Sequence, residues 1–113
     1  MAMRNLTVRE KSILERMLRQ LSDDKDPLRA QASAAEVKTI DDEGSLDFSV
    51  PATAPRASAI TERVPVTATF NDEDGTPVYI LLHLQDGRLS ELEVYKADGS
   101  KILRQPVPEE LYF

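Results

Sequence analysis

Apolar residues recur at helical spacing near the N-terminus and at strand spacing over much of the remaining chain. Ile13, Leu14, Met17, Leu18 and Leu21 form one stripe with the i, i+3, i+4 recurrence of an amphipathic helix. Thr7-Val-Arg-Glu10 ahead of it is a capping box, in which each side chain can satisfy the other residue's backbone N–H. The pattern predicts a helix over 8–21. Ser22-Asp-Asp-Lys-Asp26 interrupts it, and Asp26-Pro27 reads as the cap and first turn of a second, shorter helix over 27–34. The apolar face of this second helix is thin: Leu28, Ala32 and Ala35.

Beyond it the period changes to two. A strand over 37–41, a turn at Asp42-Glu-Gly44 and an alternating run over 45–50, with Leu46, Phe48 and Val50 inward, predict a hairpin. Three β-rich runs follow over 64–70, 77–85 and 88–96, separated by turns that each contain Asp-Gly. Asp-Gly between alternating runs is a strong hairpin signal, so these form an antiparallel meander. Val64, Val66, Ala68 and Phe70 share a face, as do Val78, Ile80, Leu82 and Leu84. Leu92 and Val94 point one way, while Glu91, Glu93 and Tyr95 point the other. Tyr79 and Leu81 make the middle run apolar on both faces, the mark of a central strand. Between hairpin and meander, residues 51–60 are small, Pro-containing and aperiodic, and read as a flexible surface loop. The expected fold is α+β, with one or two N-terminal helices packed on an antiparallel sheet of about five strands. At 113 residues the chain suits a single domain.

Charge and composition narrow the function. The net charge of −6 opposes binding to phosphate backbones, so nucleic acid is not an expected partner. No apolar run is long enough for a membrane helix, the N-terminus lacks the apolar core of a leader peptide, and there is no Cys. A cytoplasmic protein is expected. Nucleotide-binding glycine motifs and nucleophile elbows are absent. The single histidine, His83, shares a strand face with Tyr79 and Leu81. No local spacing gives it a nucleophile or an orienting carboxylate, so it reads as a half-buried strand residue. Asn71-Asp-Glu-Asp-Gly75 resembles a fragment of a calcium loop. Aligning Gly75 with the loop's glycine puts Phe70 and Leu81 at ligand positions, so that reading fails. No catalytic residue, metal or cofactor is expected, and the chain does not read as an enzyme.

The carboxylates cluster instead. Asp72, Glu73 and Asp74 occupy one turn, and Glu91 and Glu93 lie near Tyr95 on one strand face. Carboxylates around an aromatic suit docking of a Lys- and Arg-rich protein, with Tyr95 as anchor. Acidic turn chemistry and a polar outer face account for the same residues without any partner.

Segments 6–14 (Leu-Thr-Val-Arg-Glu-Lys-Ser-Ile-Leu), 37–48 and 87–99, with 102–108, resemble a family of small bacterial proteins classed as a domain of unknown function. Some members resemble immunity proteins of toxin systems, including contact-dependent growth inhibition. The resemblance implies a cytoplasmic, non-enzymatic protein that binds and neutralises a toxin domain, and it transfers no functional residue. Acidity suits that role when the toxin is basic. The alternative is a small structural or regulatory domain that forms a homodimer through Tyr79, Leu81 and Tyr95.

Overall fold

The computed structural model describes residues 3–113. Eight elements follow in order: β1 (Arg4–Asn5), α1 (Val8–Leu18), α2 (Lys25–Ala34), β2 (Glu36–Thr39), β3 (Leu46–Ser49), β4 (Val66–Asn71), β5 (Pro77–Gln85) and β6 (Arg88–Lys96), before a short 3₁₀ turn at Pro108–Glu110. The strands form one antiparallel sheet in the order β1-β2-β3-β6-β5-β4. The fold is α+β as expected, with six strands rather than about five. The additional strand, β1, pairs Arg4 with Val37 and Asn5 with Glu36. Two residues are too few to leave an alternation in the sequence.

α1 starts where the capping box requires. The Glu10 N–H donates to Thr7 Oγ1 at 3.1 Å and the Thr7 N–H donates to Glu10 Oε1 at 2.8 Å. Arg4 grips the same carboxylate through both terminal nitrogens, at 2.8 and 2.9 Å. That grip, more than any other contact, holds the Glu10 carboxyl below its ordinary range. Replacing Thr7 with Ala should cost about 1 kcal/mol in a denaturant titration, and Thr7→Ser should recover most of it. An unchanged midpoint in Thr7→Ala would mean that Arg4 and Glu10 fix this helix end unaided.

Leu14, Met17 and Leu18 of α1 and Leu28 of α2 are fully buried against the sheet face carrying Val37, Ala68, Phe70, Val78, Ile80 and Leu82. α2 begins at Lys25, two residues before the expected start, with Asp24 at the N-cap position in a left-handed conformation at φ 58°. The Asp24 carboxylate does not cap the helix. It accepts from the Ala59 N–H at 2.7 Å.

The segment 51–60, expected as a flexible loop, carries no helix or strand but is tied down at several points. Ala57 is fully buried and its N–H donates to Gly87 O at 2.8 Å. Gln31, fully buried on α2, donates to Pro55 O at 2.7 Å and to Gly87 O at 2.9 Å, and accepts from the Leu89 N–H at 2.9 Å. The β5–β6 turn places Asp86 at φ 52° and Gly87 at φ 72°, the double left-handed geometry that favours Asp-Gly. Gly87 is also sterically fixed, since a Cβ there would lie 3.0 Å from Ala57 O.

The C-terminal stretch returns to the sheet. Leu111 is buried, and Tyr112 exchanges backbone hydrogen bonds with Thr69 on the free edge of β4, at 2.8 and 2.9 Å. This covers part of an edge that could otherwise pair with another chain.

Candidate functional site on the outer sheet face

Both helices pack on one face of the sheet and leave the other uncovered. β5 is an interior strand, as its composition predicts, but among the described residues no second layer buries its outer side: Tyr79, Leu81 and His83 are half-buried. Across from them on β6 lie Tyr95, Glu93 and Glu91, in the pairs Tyr79–Tyr95, Leu81–Glu93 and His83–Glu91. The Tyr79 and Tyr95 rings are 5.2 Å apart and inclined at 42°, an edge-tilted contact of the kind aromatic pairs favour. On the other side of β6, Asp47 of β3 stands directly opposite Glu91, and Lys38 of β2 stands opposite Asp47.

The sequence offered His83 no orienting carboxylate. The structure corrects this: His83 Nε2 lies 2.9 Å from Glu93 Oε1. The pairing depends on a β-bulge. Leu84 pairs with Leu89 but His83 pairs with Glu91, so Ser90 is an extra residue in β6. A signal for it was present, because Leu89 and Leu92 are both buried yet three residues apart. A regular strand cannot turn both inward. Among the described residues, no hydroxyl is hydrogen-bonded to the imidazole, so the His83–Glu93 pair has no evident nucleophile to activate.

The expected docking residues separate into two groups. Glu91, Glu93 and Tyr95 do share the outer face, with Tyr95 exposed. Asp72, Glu73 and Asp74 lie apart from them, at the β4–β5 turn, and there the expectation needs correction. Asp72 is buried and cannot present its carboxylate to a partner. It accepts from Lys96 Nζ at 2.9 Å, from the Leu103 N–H at 2.8 Å and from the Glu73 N–H at 2.8 Å. Asp74 binds the same Lys96 at 2.8 Å and the Thr76 N–H at 3.0 Å. Glu73 and Asp74 are both exposed, but of the two only Asp74 is held by Lys96.

The cause is Lys96. It follows Leu92 and Val94 on the inward face of β6, and its side chain is buried. A buried ammonium needs anionic partners, and the turn next to Val78, its cross-strand neighbour, supplies two. Burial disfavours the charged form of Asp72. The Leu103 amide, the Lys96 ammonium and the Glu73 amide together outweigh it and hold the carboxyl at about 2. The Asp41 turn is likewise explained locally, because Asp41 Oδ1 accepts from the Glu43 and Ser45 N–H groups at 2.9 and 3.1 Å.

Elsewhere the surface gathers little chemistry. A groove of about 370 Å³ between α1 and α2 is lined by Leu14, Leu18 and Ala32 and bridged by the Arg29–Glu15 ion pair at 2.8 Å. Among the described residues no helix is long and apolar enough to cross a membrane. No curated protein and no solved structure matches the chain. One family model, described as Domain of unknown function (DUF6984), matches residues 3–106, and the chain belongs to that family.

Proposed function

We propose that this chain is a non-enzymatic binding protein that docks a basic protein on the outer face of its sheet. Most concretely, it is a cytoplasmic immunity protein that binds and neutralises a bacterial toxin domain, as in contact-dependent growth inhibition. The observation that carries the reading is one uncovered sheet face where Asp47, Glu91 and Glu93 adjoin a tyrosine pair. An interior sheet face fixes these side chains on a rigid backbone, so little order is lost on binding. The carboxylates attract Lys and Arg, and the exposed Tyr95 offers apolar area beside them. The net charge of −6 acts in the same direction. Asp72 and Asp74 play no part in it, since Lys96 engages both.

The test needs the basic protein encoded beside this gene, held on a biosensor at two salt concentrations. Glu91→Gln with Glu93→Gln should slow association several-fold and flatten its salt dependence, because surface charges act mainly on encounter. Tyr95→Ala should speed dissociation, at a cost of about 2 kcal/mol. Unchanged kinetics in both variants would move the docking surface off this face. The half-buried Tyr79 and Leu81 beside Tyr95 favour one competing reading, a homodimer through the same face. A dimer mass in light scattering, lost in Tyr95→Ala, would support that reading over the first.

A further inference from the structure

The imidazole of His83 and the carboxylates of Glu91 and Glu93 bring one ligand atom each within 4.8 Å of one another. We propose that these three residues form a binding site for a first-row transition dication, for which zinc is the natural probe. The inference goes beyond the docking reading and does not depend on it.

Three features point to a cation. First, the donors are mixed. One nitrogen and two carboxylate oxygens suit zinc and its neighbours, whereas magnesium and calcium favour oxygen alone. Second, carboxylates crowd together on this face, and Lys38, across β2 and β3 from Asp47, forms no ion pair with it. Glu91 faces Asp47 across β3 and β6 and has Glu93 two residues along on the same face. Like charges placed directly opposite destabilise a sheet. Among the described residues neither Asp47 nor Glu91 belongs to an ion pair. A dication would remove this repulsion. Third, the frame is rigid where it must be. β5 and β6 are both interior strands, and the Ser90 bulge sets His83 directly opposite Glu91.

Only side-chain rotation separates the present arrangement from coordination. Tetrahedral zinc with ligands about 2 Å away places them about 3.3 Å from each other. The flexible Glu91 and Glu93 side chains can close that distance while the strands stay fixed. To take the metal, His83 Nε2 would exchange its contact with Glu93 for the cation and present a free lone pair to it. Three protein ligands leave a fourth position open, directed away from the sheet.

The experiment is a zinc titration of the full chain by calorimetry, with the imidazole resonances of the single histidine followed in parallel by NMR. One zinc per chain should bind, and the His83 signals should shift in step with it. His83→Ala and Glu93→Gln should each weaken binding by about tenfold or more, and magnesium should bind at least about tenfold more weakly than zinc. Glu73→Gln, on the distant turn, should bind as the parent does. Should a variant fold poorly, the histidine signals of the unaltered chain still decide the matter. Absence of saturable binding, an unmoved imidazole, or full affinity in His83→Ala would overturn the site. Equal binding of magnesium would reduce it to general attraction by an acidic face. Because only the metal is added, either result is independent of whether a partner docks.

Discussion

Gln31→Ala should destabilise the protein by about 2–3 kcal/mol, because it strands the buried Leu89 N–H, leaves Gly87 O with only the Ala57 N–H and removes the bond to Pro55 O. The Gln31 amide satisfies Pro55 O, Gly87 O and the Leu89 N–H, and is itself fully buried. Water does not reach the Gly87 and Leu89 contacts. Gln31→Leu should fare little better, since it restores volume but no hydrogen bond. The effect should also be local. Gln31 joins α2, the 51–63 segment and the β5–β6 turn, so its loss should free that segment first. Limited trypsin digestion should then cut at Arg56 or Arg63 well before the parent chain is cut. A denaturant midpoint within about 0.5 kcal/mol of the parent, with no new cleavage, would show that the loop is held by other contacts.

Gln31 also shows where sequence reading stops. The stripe on α1 and the alternation along β3 to β6 describe the burial of side chains among apolar neighbours. Those patterns were legible, and the observed α+β architecture follows them closely. Gln31 lies three residues after Leu28 on a face with few apolar residues, and its partners are backbone groups of remote segments. No spacing rule exposes such a contact. Lys96 is different. It has the inward parity of Leu92 and Val94, so a buried cation was readable in principle. With it came the reason for two aspartates in the adjoining turn, which by themselves look like ordinary turn chemistry. The His83–Glu91 pairing falls between these cases. The hairpin turn suggests a register in which they do not meet, and only the three-residue step from Leu89 to Leu92 reveals the bulge that joins them.

This reassignment of the acidic residues changes what their removal should do. Asp72→Asn, expected from the sequence to affect docking, should instead damage the fold. The asparagine directs an N–H₂ group toward donors and leaves the Lys96 ammonium short of charge, and breaking one side of a buried pair is costly. The melting temperature should fall by roughly 10 °C or more. Lys96→Met in the parent background should be similarly harmful, because it leaves Asp72 buried without its cation. The two changes together should be less damaging than the sum of the single effects, since the pair is removed as a unit. The pH dependence follows from the direction of the Asp72 shift. Its carboxyl titrates at about 2 in the folded chain against an ordinary value of 3.8. The unfolded chain therefore binds this proton first as the solution is acidified. The stabilisation is complete above about pH 4 and disappears as the pH falls toward 2. Asp72→Asn should lose the corresponding part of the slope of stability against pH in that window, while both proteins behave in parallel near neutrality. Chemical denaturation at several pH values between 2 and 7 reads the difference directly. Parallel curves throughout would mean that Asp72 gains nothing from Lys96 and Leu103, and would return its carboxylate to the surface.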